Sequence, residues 1–356
     1  MDKAKMLMRA KLGLWERVQK DDRVIMWNSG KGVQMQGSSR RNFLAGAGMT
    51  AAVCAVRPLF GFAAASGSPF KVSVISDEIS QDFDHACSVA SKEFGLGWVE
   101  LRGMWKKSLH ELSDAELAQV ESILAKYSLR VTDMASPVFK TDWPGAPKRH
   151  PDKGQDFGSN ETFKQQSELL DKYIELAKRF KTNKVRCFDF WRLDDIAKYR
   201  AAINAKLSEA ATTCGKRGTL LVLENEFECN TATGREAAAT LAAVPSPYFG
   251  LNWDPGNAVM RGELDAFPAG WNLLPKKRIL HCHVKSAMKD ASGKIVWAPV
   301  GKGYVDWTAQ FKALKQIGYH NAVSLETHWR GGGTPEESSR ESFAGMKKAL
   351  IAAGAW

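Results

Sequence analysis

The chain has 356 residues, 44% hydrophobic and 25% charged, proportions of an ordinary globular protein. No run of eighteen apolar residues occurs, so no segment crosses a membrane as a helix. The formal charge of +11 suggests nucleic acid only until the charges are located: residues 1–65 hold eleven Lys/Arg against four Asp/Glu, a net +7, which leaves +4 for the rest.

That first segment has its own pattern. Ser39-Arg40-Arg41-Asn42-Phe43-Leu44 precedes a weakly apolar, small-residue stretch over 45–56, then Pro58 and Ala63-Ala64-Ala65. Twin arginines, a mild apolar region and an A-x-A site predict a twin-arginine export signal cleaved near Ala65. The expectation is a leader over 1–65, a partnership with the twin-arginine translocase, and a periplasmic mature protein over 66–356. Five of the six cysteines (Cys87, Cys187, Cys214, Cys229, Cys282) follow the leader without a C-x-x-C spacing. They predict neither a zinc ribbon nor a disulfide framework, but small buried hydrophobes.

Beyond the leader, strand and helix patterns alternate. Residues 70–76 read as a strand, 82–94 as a helix, and 98–101 as a short strand leading to Glu100 and Arg102. Ser113, with Glu116 three residues on, caps a helix running to 127. A strand over 129–135 is followed by a loop, 136–160, long enough to suggest function. Then come helix 161–180, strand 183–188, helix 193–216, strand 219–224, helix 234–244 and strand 249–254. Strand 279–285, helix 307–317, strand 322–326 and helix 335–353 complete the series. Eight such units predict a single α/β domain, a (β/α)8 TIM barrel over 66–356. An open doubly wound sheet is disfavoured, because no G-x-G-x-x-G follows the first strand and eight units overfill it.

The stretch Ile279-Leu280-His281-Cys282-His283-Val284-Lys285 centres the functional reading. A period of two puts His281 and His283 on one face, with Ile279 and Lys285. In a TIM barrel the C-terminal strand ends converge, and three other strands end in an acid: Glu224, Asp254 and Glu326. Three carboxylates and an imidazole from consecutive strands make a hard donor set for one divalent ion, Mn, Mg, Co or Zn.

These residues resemble the sugar phosphate isomerase/epimerase superfamily, the xylose isomerase-like barrels. The likeness runs from about Lys71 onward and rests on Val99-Glu100-Leu101-Arg102, Leu223-Glu224-Asn225, Trp253-Asp254-Pro255-Gly256-Asn257, His281-Cys282-His283-Val284-Lys285 and Leu325-Glu326. The resemblance implies that Glu224, Asp254, His283 and Glu326 hold one metal, and that Glu224 and Glu326 also move protons beside a metal-polarised carbonyl. His281 then belongs to a supporting or substrate-binding role. Lys285, Asn257, Glu100 and Arg102 are candidate substrate contacts, although Lys285 could simply extend from its strand end, and Glu100 and Arg102 could pair with each other or with a neighbour.

Three positions depart from the ketose 3-epimerase pattern. Asn257 stands where those enzymes have a His, Lys289 where they have an Arg, and Asn230 where they have a second Glu. The extra histidines of the type IV endonucleases are missing, so nucleic acid is excluded as a partner. The expectation is therefore an isomerase or epimerase of a carbohydrate or polyol. The alternatives are a 3-keto-glycoside lyase or inosose-type dehydratase using the same groups, and a metal-free sugar-binding barrel. Self-association into a homo-oligomer is left open.

Overall fold

The protein is described here from a computed structural model, over residues 67–147 and 158–356. The leader expected over 1–65 lies outside the described residues, as does part of the loop expected over 136–160.

Eight parallel strands form the barrel: β1 Lys71–Val74, β2 Trp98–Leu101, β3 Arg130–Met134, β4 Lys184–Cys187, β5 Leu220–Glu224, β6 Phe249–Trp253, β7 Ile279–Val284 and β8 Ala322–Leu325. They pair in the order β1-β8-β7-β6-β5-β4-β3-β2, and a parallel bridge from Ile75 to Glu100 closes the ring. Helices lie on the outside: α1 Phe83–Ser88, α2 Asp114–Lys126, α3 Gln166–Arg179, α4 Ile196–Lys216, α5 Gly234–Ala243, α6 Pro255–Met260, α7 Trp307–Gln316 and α8 Pro335–Ala352.

Local chemistry sets several of these boundaries. Ser113 and Glu116 form the expected reciprocal capping box on α2, and Thr233 with Glu236 and Thr334 with Glu337 do the same for α5 and α8. The sequence reading did not assign α6. Its start follows from Asp254, whose side chain accepts the Asn257 N–H at 2.9 Å, and from Pro255 in the first turn. Two short hairpins beyond strand ends, Gly103–Met104 with Lys107–Ser108 and Ser286–Lys289 with Ile295–Ala298, were also unassigned.

Strand periodicity divides the barrel chemically. Val72, Val185, Leu221, Leu223, Leu251, Cys282, Val323 and Leu325 are buried on the helix-facing side. Burying one such side chain contributes roughly 1.5–3 kcal/mol. Alternate residues point inward, and many are polar: Ser73, Glu100, Asp133, Arg186, Asn252, His281, His283 and Ser324 are all buried. Barrels of this kind usually fill that space with Val, Ile and Leu. This one spends its interior on a site. The five cysteines are free and buried, as expected.

Candidate metal centre

Four adjacent strands deliver the predicted donors to one point. Glu224 ends β5, Asp254 follows β6, His283 lies next to the end of β7, and Glu326 follows β8. His283 Nδ1 lies 3.1 Å from Glu224 Oε1, 3.0 Å from Glu326 Oε2 and 3.8 Å from Asp254 Oδ2. One donor atom from each of the four falls within 4.8 Å of the others, and all four residues are buried. Asp254 Oδ2 and Glu326 Oε2 have no partner of hydrogen-bond geometry, and the Lys285 ammonium lies beside both. Buried carboxylates need a compensating charge, and oxygens clustered about one imidazole nitrogen suit a cation.

Around this set lies a ring of charge. Lys285 Nζ lies 3.0 Å from Asp254 Oδ2 and 2.6 Å from Glu326 Oε2. Asn257 donates to Glu224 Oε1 at 3.1 Å and accepts from Lys285 at 3.3 Å. Both residues are buried against the donor set. Arg102 also reaches the site, bonding Glu326 at 3.1 Å, but its other partners are Glu78 at 2.6 Å and Asp77 at 3.0 Å rather than Glu100.

Glu100 and His281 are fully buried beside His283. Glu100 Oε1 lies 3.0 Å from His283 Nε2, and Glu100 Oε2 lies 3.4 Å from His281 Nε2. Glu100 lies between Val99 and Leu101, which pack in the core, so strand alternation turns it into the barrel; the register shift opposite it places the extra residue in β3. Glu100 thus holds the far edge of the imidazole whose near edge faces the carboxylates, an arrangement that fixes ring orientation and tautomer.

Arg186 was missed. It lies on the inner face of β4, 4% exposed at its side chain, and donates to Glu224 Oε2 at 2.9 Å and to the carbonyls of Ala135 and Ser136. The alternation Lys184-Val185-Arg186-Cys187 carried the signal. Two residues that replace expected epimerase positions are explained by the fold. Asn230 pins a loop, accepting from the Leu193 N–H and donating to the Asp189 carbonyl, while Lys289 is exposed on a hairpin. Of the tryptophans near strand ends, Trp253 and Trp191 fill core, whereas Trp297 packs edge-on to His328 at 5.0 Å.

The electrostatics follow from this crowding. Burial works against a charge on Glu224, but His283 and Arg186 outweigh it and hold its pKa at about 2. For Glu326 burial is likewise overridden, by Lys285 and His283, and its pKa falls well below the usual range. Asp254 goes the other way. Burial pushes it up to about 6, with Glu224 and Glu326 adding to the rise against the pull of Lys285. Burial lowers His281 to about 3 and keeps it neutral.

A cavity of about 400 Å3 opens beside the cluster, with Asp77, Gln81, Arg102, Lys106, Tyr173 and Arg186 in its wall. Neither its wall nor that of a second cavity, about 440 Å3 between α2 and α3, includes one of the four donors, but Arg102 and Arg186 in the first bond Glu326 and Glu224.

A family model described as xylose isomerase-like TIM barrel matches residues 89–349. The chain belongs to the xylose isomerase-like TIM barrel family. Solved structures with the same fold include a xylose isomerase-like barrel from Mycobacterium smegmatis in complex with magnesium, at 17% identity and TM-score 0.57, covering 82% of this chain and 99% of that one. The IolI protein with a bound zinc atom matches at 17% identity and TM-score 0.59, over 80% and 98%. A D-psicose 3-epimerase solved with D-fructose matches at 16% identity and TM-score 0.57, over 80% and 100%. At these identities the likeness is one of fold. No curated protein sequence matches the chain significantly. As a xylose isomerase-like barrel, the protein presents its donors at the C-terminal strand ends, where this architecture places active sites.

Proposed function

We propose that this barrel is a metal-dependent enzyme that abstracts a proton beside a carbonyl of a carbohydrate or polyol, and that its net reaction is isomerisation or epimerisation. The observation that carries this reading is the convergence of Glu224, Asp254, His283 and Glu326 on one buried point. A divalent ion held there would polarise the carbonyl and acidify the adjacent C–H. Glu224 and Glu326 both meet His283 Nδ1 and are ionised at neutral pH, as bases must be before they accept a proton. Their low basicity places the burden on carbonyl activation. Lys285 and Asn257 supply donors for a substrate oxygen at the same point.

A second reading uses the same proton abstraction but ends in elimination of an aglycone from a keto-glycoside. The cavity beside the cluster favours it, since a second sugar or an aglycone would have room there. Ser39-Arg40-Arg41-Asn42-Phe43-Leu44 supports export to the periplasm, where glycosides are available; N-terminal sequencing of the secreted protein tests that export.

The test of function begins with elemental analysis of purified protein, wild type and His283→Ala. About one divalent ion per chain, lost in the variant, is the expected result. Loaded protein is then incubated in D2O with ketoses and keto-glycosides and followed by NMR. Deuterium at the carbon beside the carbonyl supports the proton abstraction, and the product separates epimer from eliminated aglycone. A chain that binds no metal and exchanges no proton would be a binding barrel instead.

A further inference from the structure

Each carboxylate of the donor set already has a cation of the protein beside it. Arg186 bonds Glu224 at 2.9 Å, Arg102 bonds Glu326 at 3.1 Å, and Lys285 meets Asp254 at 3.0 Å. The two arginines approach from outside. They take Glu224 Oε2 and Glu326 Oε1, whereas the oxygens closest to His283 Nδ1 are Glu224 Oε1 and Glu326 Oε2. Lys285 is different. Its ammonium meets Asp254 Oδ2 and Glu326 Oε2, the same two oxygens that face the imidazole.

The position of this ammonium is built. Trp307 Nε1 donates to the Lys285 carbonyl at 3.1 Å, and Asn257 Oδ1 accepts from Nζ at 3.3 Å. The Trp297 ring lies 5.1 Å from Nζ, and the residue as a whole is 2% exposed. Gly256 allows the chain to pass, since a Cβ there would lie 2.9 Å from Lys285 Cβ. An ammonium so enclosed is poorly screened, and a like charge brought within a few ångströms is repelled far more strongly than at a surface.

We propose that Lys285 is a resident placeholder cation: it compensates the clustered carboxylates so that the barrel folds without metal, and it opposes the entering divalent ion and weakens its binding. This rests on the metal reading above. Chains without such a cation depend on the metal itself to fold. Here the protein supplies its own charge, and a chain that must fold before export gains independence from the metal supply.

The experiment is calorimetric titration of Mn2+ into metal-stripped wild type, Lys285→Met and Lys285→Gln, with thermal unfolding of each before and after Mn2+. The two variants share only the loss of the charge. Both are expected to bind Mn2+ at least tenfold more tightly than wild type, and to gain more in Tm from the metal. Should a stripped variant fail to fold, Mn2+ is expected to restore its fold. Binding equal to or weaker than wild type, or no restoration of an unfolded variant by Mn2+, overturns the proposal while wild-type loading leaves the metal reading intact. Absence of Mn2+ binding in all three proteins sinks the metal reading and this proposal with it.

Discussion

Glu100→Gln separates the role seen in the structure from the one its sequence position suggested. The carboxylate lies 3.0 Å from His283 Nε2, and both residues are fully buried. Burial alone would raise the Glu100 pKa, yet His283 and His281 override it and bring it to about 2, so the group is ionised. The amide keeps the shape and an acceptor oxygen but removes the charge, which is the part that makes the bonded imidazole a better ligand. Losing an orienting partner of a metal-bound histidine typically costs 10–100-fold in metal affinity, or about 1.4–2.8 kcal/mol at 1.4 kcal/mol per tenfold. The assay is Mn2+ titration of stripped wild type and variant by calorimetry, with circular dichroism to verify the fold. An affinity within twofold of wild type, together with a raised KM for whatever substrate is found, would return Glu100 to the substrate and refute the reasoning.

Further expectations follow from other contacts. Arg186→Met strands Glu224 without its guanidinium, and removing one partner of a buried ion pair typically costs about 3–5 kcal/mol; urea unfolding of the stripped protein reads this, and a loss under 1 kcal/mol would mean that water takes the arginine's place. Gly256→Ala forces a methyl to within 2.9 Å of Lys285 Cβ and 3.0 Å of its backbone, an overpacking of about 1–3 kcal/mol, which the same unfolding measurement detects. Glu161 is held at about 2, chiefly by its hydrogen bond with His110, against a smaller opposing effect of burial. A depressed carboxylate stabilises above its unfolded pKa, about 4.3, and loses that contribution as pH falls towards 2. The stability gap between wild type and Glu161→Gln should therefore be constant above about pH 5 and narrow steadily below about 4.5; a gap unchanged at pH 3 would contradict the assignment.

Much of the barrel was legible because each strand must show its apolar side to a helix. The alternation Leu221, Leu223 and Leu251, Trp253 fixes which residues face outward, and so which acid at a strand end faces in. Glu224, Asp254, His283 and Glu326 could be read as one group for that reason. Arg186 obeys the same alternation but was passed over, since a guanidinium ligates no metal and its strand otherwise reads as core. Glu100 obeys the alternation too, between Val99 and Leu101, but its bond with His283 spans 183 positions and has no local signature. Partners such as Arg330 and Glu78, bonded at 2.6 Å across 252 positions, depend on closure of the barrel and have no local signature at all.

The ring of strands is unevenly stitched. β2 and β3 share a ladder, but β2 joins β1 through the bridge of Ile75 to Glu100, and β3 joins β4 in register only at Met134 and Val185. Elsewhere, neighbouring strands share three or four registered pairs. The pair β2–β3 is thus hinged along both seams, and amide hydrogen exchange should find its flanking bonds opening before those of β5 to β8. Glu100 rides on that pair while His283 rides on the firmer half. Breathing of the barrel wall would therefore pull on the hydrogen bond that aims the imidazole, so release of metal and exchange of amide protons at these seams should report a single motion.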